Sequence, residues 1–138
     1  MRPTPIQSWF LEQCFADAHH WNQTFLFEIP SEVDVEALQG ALDHVVAHHD
    51  ALRLRVVGQG FEAMLRHDPN KAAPPIRRVD LAPVAPRAHP ERIEAAATVA
   101  QSELNLQQGP LLAAVHFDRG AAPSRLLAIH HLAVDGVS

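Results

Sequence analysis

Between Thr4 and His131 the apolar residues change period several times, and each change marks a new element. Val35, Leu38, Leu42, Val45, His49 and Leu52 recur at spacings of three and four, which predicts an amphipathic helix of about four turns. Asp34 caps it, Glu36 suits the positive end of its dipole, and it ends near Asp50 or Ala51. Thr24 to Ile29 instead alternates, with Phe25, Phe27 and Ile29 on one face, and reads as a strand stopped by Pro30. Upstream, Thr4-Pro5-Ile6-Gln7 has the cap, first-turn proline and capping-box residue of a helix start. That helix is predicted to run to about Asp17 and to bury Ile6, Trp9 or Phe10, and Cys14.

Leu54 to Val57 and Phe61 to Arg66 flank Gly58-Gln59-Gly60, a hairpin pattern. Six of the eleven prolines fall between His67 and Pro90, where Ile76 to Leu81 reads as a short edge strand. Pro90 opens a third helix through about Leu104, with Ile93, Ala96, Ala97, Ala100 and Leu104 inward. Two strands follow the Gly109-Pro110 break, Leu111 to Phe117 and Arg125 to His131. The order α-β-α-β-β-β-α-β-β implies an α/β (α+β) sandwich with mixed strand directions.

Composition narrows the function classes. The chain has 138 residues, 47% of them hydrophobic and 20% charged, enough apolar content for one domain's core. Sixteen acidic against eleven basic side chains argue against a general nucleic-acid binder, which needs a basic surface. No apolar run approaches a membrane span of about 18 residues. Met1-Arg2-Pro3 leads straight into structured-looking sequence without a secretion signal, and the single Cys14 excludes an internal disulfide. Both point to a reducing cytoplasm. The anomaly is histidine: ten residues, including the adjacent pairs His19-His20, His48-His49 and His130-His131.

The last of these pairs stands where an apolar strand, Leu126 to Ile129, runs into Asp135-Gly136. Strand alternation sends His130 and His131 to opposite faces, so one ring can be structural while its neighbour meets a cavity. An imidazole with an unperturbed pKa of about 6.5 suits proton transfer near neutrality. Two hydrogen-bonded rings at a strand end are the alternative. Asp135 can orient a ring or pair with an arginine.

His130-His131-Leu132-Ala133-Val134-Asp135-Gly136 resembles the His-His-x-x-x-Asp-Gly signature of condensation-type domains of nonribosomal peptide synthetases. Three further stretches agree in order: Pro5-Ile6-Gln7-Ser8-Trp9-Phe10, His20-Trp21-Asn22-Gln23 and His48-His49-Asp50-Ala51-Leu52-Arg53. The first two, with Ser8 where condensation domains usually carry arginine, look like the epimerization branch, and so does Val137-Ser138. The resemblance implies a chloramphenicol-acetyltransferase-like fold of two lobes, with residues 1–138 forming most of the N-terminal lobe. The second lobe would be missing, and with it a glutamate expected to face the histidine.

Carried over by position, His131 is the expected acid/base and His130 a structural residue. Asp135 is expected to pair with Arg53 or Arg55, and Gly136 to permit a positive φ or a close substrate approach. His20, Trp21 and Asn22 either line the channel mouth or form a polar turn, and Ser138 belongs to the same channel. The implied substrate is an aminoacyl or peptidyl thioester on the phosphopantetheine of a peptidyl carrier protein, with no cofactor bound directly. Condensation, non-catalytic recruitment of carrier or tailoring proteins, and a free-standing acyltransferase using coenzyme A are the competing readings. The chain alone is expected to be inactive and, with Leu127, Ile129 and Val137 uncovered, to self-associate. Trp9 and Phe10 read as core. His44 and His48 have a zinc-compatible spacing but no third ligand. Cys14 and Ser138 lack a nucleophile's flanking pattern, and no phosphate-cradling glycine loop is present.

Overall fold

The computed structural model describes residues 1–30, 32–70, 72–120 and 124–134, with backbone alone at 124–127. Its elements follow the expected order: α1 (Pro5–Glu12), β1 (Asn22–Glu28), α2 (Val35–His48), β2 (Leu54–Val57), β3 (Met64–His67), β4 (Arg77–Asp80), α3 (His89–Ser102), β5 (Leu112–Asp118) and β6 (Ser124–His130). Four strands form one sheet in the order β1-β6-β5-β4, and β2 and β3 form a separate hairpin. Directions are mixed: β4 runs parallel to β5, whereas β1 and β5 both pair antiparallel with β6.

Alternation along β5 explains the first core. Ala113, Val115 and Phe117 project from one face of this central strand onto Ala97, Ala100 and Leu104 at the end of α3, with Leu81 and Ala128 completing the cluster. Small alanines on α3 let the helix approach the sheet, so the predicted inward stripe of that helix is the observed one. The second core joins α1 to the hairpin: Phe10 packs with Leu54, Val56, Leu65, Leu106, Leu111 and Leu132.

Three expectations need correction. Helix α1 ends at Glu12, because Cys14 takes a left-handed φ of 48° and turns the chain away. Phe10 is buried, but Ile6 and Trp9 are 70% and 47% exposed and Cys14 is exposed too. Along α2 the buried position is Val46, while Val45 is exposed and His49 lies past the helix end. The stripe therefore runs through 35, 38, 42 and 46, the spacing of a straight helix that stops at His48. On β1, Phe25 and Phe27 share a face but stay 44% and 49% exposed, their rings stacked 5.9 Å apart. An edge strand has one neighbour, so its side chains gain less cover. Ile129 is half-buried, whereas Leu127 as a side chain and Val137 lie outside the described residues.

Polar side chains tie the parts together. Gln39 on α2 donates from Nε2 to the Pro74 carbonyl (3.3 Å) and accepts the Ile76 amide (2.8 Å). Asp43 accepts the Ala73 amide at 2.8 Å. Buried Arg53 donates to the carbonyls of Val46 (3.1 Å) and Asp68 (2.9 Å) and to the Asp50 carboxylate. Arg55 donates to the Leu54 carbonyl (2.8 Å) and to the Asp68 carboxylate (2.9 Å). The guanidinium of Arg55 lies directly over Gly109, where φ is 77°.

His130 closes the end of β6. Its ring is fully buried, its Nε2 lies 2.7 Å from the Ala18 carbonyl, and its Nδ1 accepts the Leu132 amide at 3.0 Å. A carbonyl can only accept and an amide N–H can only donate, so Nε2 carries the proton and Nδ1 is bare. The ring is neutral. Burial, opposed by the Ala18 hydrogen bond, holds its pKa below the ordinary histidine value.

Stability should follow from that depressed pKa. Below about pH 6.5 the unfolded chain binds a proton that the folded His130 ring resists. Its contribution is complete above that pH and is lost progressively as the pH falls. Urea midpoints at pH 7.5 and 5.5 should therefore differ more for wild type than for His130→Phe, which loses about 1–3 kcal/mol at pH 7.5 and less at pH 5.5; an equal pH response would contradict the neutral ring. Two glycines give a second pair of outcomes. Gly40 sits mid-helix with open space around it, so Gly40→Ala should stabilise by about 0.5–1 kcal/mol. Gly109→Ala, with a methyl driven into Arg55 at positive φ, should cost about 1–3 kcal/mol in the same urea titration.

Candidate functional site

The residue after the buried imidazole emerges on the other side of the sheet end. His131 is exposed, and its amide donates to the Trp21 carbonyl at 2.8 Å, which ties it to the entry of β1. Its Nδ1 lies 2.8 Å from the Val134 carbonyl, so Nδ1 carries the proton and the Nε2 lone pair is left for other partners. The two neighbouring histidines thus hold opposite tautomers. One is held on both nitrogens within the core; the other commits Nδ1 to a carbonyl and turns Nε2 to the surface beside Gln23.

Beside it lies an open groove of about 160 Å³ lined by Ile6, Gln7, Trp9, Phe10, Trp21, His131 and Leu132. The short α1 is what leaves it open: one face of the helix buries Phe10 while Ile6 and Trp9 remain along the rim. Gln7 caps this arrangement twice, accepting the Thr4 amide at 2.9 Å and donating to the Leu132 carbonyl at 3.3 Å. Trp21 meets Phe10 edge-on at 5.1 Å between ring centroids and stands 6.4 Å from the His131 ring. Apolar walls beside one imidazole suit an apolar or weakly polar group held close to that ring.

Of the residues expected at the channel, Trp21 lines this groove and His20 and Asn22 do not. Asn22 is turned to local bonds, donating to the His20 carbonyl (3.0 Å) and accepting from the Thr24 hydroxyl (3.2 Å). Trp9, expected in the core, is a groove residue, because only one side of a two-turn helix meets the hairpin. Asp135, Gly136 and Ser138 lie outside the described residues, and the Asp135 partnership with them. Of its two proposed partners, Arg53 has its guanidinium spread over three acceptors, while Nε of Arg55 is buried without a partner among the described residues. His44 donates to the Gly40 carbonyl at 2.7 Å, and no three potential ligands are grouped for a metal among the described residues.

One residue at the site escaped the sequence reading. Gln23, half-buried on β1, stands opposite Ile129 in the β1–β6 register, on the face that His131 continues. Its Nε2 approaches the His131 Nε2 to 3.3 Å. The signal was available, since Gln23 ends the His-Trp-Asn-Gln stretch and alternates with Trp21 along the strand.

Comparison with known proteins places this geometry. Residues 2–138 match the family model described as Condensation domain. The chain is 43% identical over 136 residues to one of the proteins of linear gramicidin synthase from Brevibacillus parabrevis, covering 97% of this chain and 3% of that protein. It is 38% identical over 137 residues to surfactin synthase subunit 1 of Bacillus subtilis (strain 168), covering 98% of this chain and 4% of that protein. Among solved structures, the epimerization domain from the third module of tyrocidine synthetase B superposes with a TM-score of 0.85 at 32% identity, covering 99% of this chain and 31% of that one. The starter condensation domain of the rhizomide synthetase shares the fold at 22% identity, with a TM-score of 0.78 and coverage of 98% and 33%. The fold is therefore the chloramphenicol-acetyltransferase-like one of these domains, of which the chain spans about a third. The chain belongs to the condensation domain family, within the nonribosomal peptide synthetase superfamily that holds condensation and epimerization domains alike.

Proposed function

We propose that the chain contributes the acid/base wall of an epimerization site, with His131 as the group that exchanges the proton. The observation that carries this reading is the setting of His131: Nδ1 is committed to the Val134 carbonyl, which leaves Nε2 as the nitrogen at the rim of an apolar groove. The substrate is an aminoacyl or peptidyl thioester carried on the phosphopantetheine arm of a peptidyl carrier protein. Nε2 takes the proton from the α-carbon while the C–H electron pair delocalises onto the thioester carbonyl as an enolate. Return of a proton from the opposite side inverts the carbon, and that second group comes from outside the described residues. The likeness to an epimerization domain and Ser8 ahead of Trp9 favour this branch. Asp135 would brace the turn through Arg53 or Arg55, and Gly136 and Ser138 would line the substrate approach.

Peptide-bond formation is the second reading, since the family that the chain belongs to includes condensation domains. There the same Nε2 would take a proton from an attacking amine. Heavy water separates the two. In a protein where this chain is joined to the remainder of its domain, a carrier-bound aminoacyl thioester should gain deuterium at the α-carbon during inversion. His131→Ala should reduce that exchange by about 10²–10⁴-fold while carrier binding persists. Peptide formation without α-exchange would assign the condensation reaction instead, and undiminished exchange in His131→Ala would remove His131 from the chemistry.

A further inference from the structure

His131 is held from two sides, and the side facing β1 is a carboxamide. With the Nδ1 proton on the Val134 carbonyl, Nε2 of the neutral ring is an acceptor, and the Gln23 NH₂ group that faces it is the matching donor. This orientation leaves the Gln23 Oε1 buried without a partner among the described residues. An unsatisfied buried acceptor is costly, and burial without reward calls for a reason. The 3.3 Å contact is also long for a hydrogen bond, so it steadies the ring while yielding the lone pair readily.

A carboxamide has one property that neither the Val134 carbonyl nor the Trp21 ring shares. It can serve both states of the ring. While Nε2 is bare, the NH₂ group donates to it. Once Nε2 has taken a proton, a half-turn of the amide brings Oε1 round to accept the new N–H, and the acceptor that is idle in the neutral state finds its partner. The anchoring is also rigid: Gln23 lies within β1, fixed by pairing with Ile129, two residues before His131. Trp21, the other β1-side neighbour, faces the ring with an aromatic edge and offers no acceptor to a protonated nitrogen.

We propose that Gln23 is a positioning residue for His131, exchanging donor for acceptor as the imidazole passes from base to conjugate acid. This rests on the reading of His131 as the proton-exchanging group. Gln23 touches the ring and not the substrate, so its effect belongs to the chemical step rather than to binding.

The test uses Gln23→Met, close in shape but without donor or acceptor, and Gln23→Glu, which retains acceptors but lacks the NH₂ donor. Both are made in a protein carrying the complete domain. Each should lower kcat about tenfold, the size of one hydrogen bond, with KM within about twofold of wild type. Gln23→Met combined with His131→Ala should be no slower than His131→Ala alone. The ¹⁵N signals of the His131 ring should show a growing share of the Nε2–H tautomer in Gln23→Met. Wild-type kcat in both Gln23 variants beside an inactive His131→Ala would overturn the proposal while leaving the role of His131 standing. An additive double variant, or an unchanged tautomer population, would overturn it equally. An active His131→Ala would instead bring down the reading beneath it, and the ring signals would still report whether Gln23 sets the tautomer.

Discussion

The Ala18 carbonyl and the Leu132 amide meet at opposite edges of one buried imidazole, and much of the remaining architecture depends on that junction. His130 fastens the end of β6 to the turn that precedes β1, across 112 residues of sequence. Because both ring nitrogens are spoken for, the side chain has one orientation and one protonation state. Its backbone amide is held as well, by the Leu111 carbonyl at 2.9 Å. Phe10 packs edge-on against the ring at 5.7 Å, so helix α1 is located by the same residue.

Fixing His130 inward determines what His131 can do. Adjacent residues at the end of a strand point to opposite sides, so the second ring is forced outward toward the groove between α1 and Trp21. The Val134 carbonyl holds Nδ1 of that ring, and Nε2 meets only the long Gln23 contact at 3.3 Å beside the aromatic rim. Two consecutive residues thus have opposite settings: a neutral pin in the core, and an exposed ring beside the groove.

Much of this was legible from residue order alone. The α3 stripe of Ile93, Ala96, Ala97, Ala100 and Leu104 follows from period, a local property, and so does the β2–β3 hairpin, although its second strand starts at Met64 and not at Phe61 because Gly60–Glu62 forms a helical turn. Strand alternation also set His130 and His131 on opposite faces, while the assignment of the second ring to the groove came from the resemblance of the His-His-x-x-x-Asp-Gly stretch. Other features depended on neighbours that period does not reveal. Phe25 and Phe27 alternate like core residues, yet β1 is an edge strand and leaves them half exposed. Trp9 has core spacing on a helix too short to bury it, which turns it into a wall of the groove. Gln23 stood within the His-Trp-Asn-Gln stretch, but its contact with the ring comes from the β1–β6 register, which sets it beside a histidine 108 residues away.

Nitrogen NMR on the two rings, with the histidines isotopically labelled and assigned by single substitution, examines the pairing most directly. At pH 7.5, His130 should carry its proton on Nε2 with Nδ1 bare, and His131 should carry it on Nδ1 with Nε2 bare. Lowering the pH to 6.5 should leave His130 predominantly neutral, in keeping with its depressed pKa. The same tautomer in both rings, or a His130 already half protonated at pH 6.5, would contradict the division of these neighbours into a structural pin and a base.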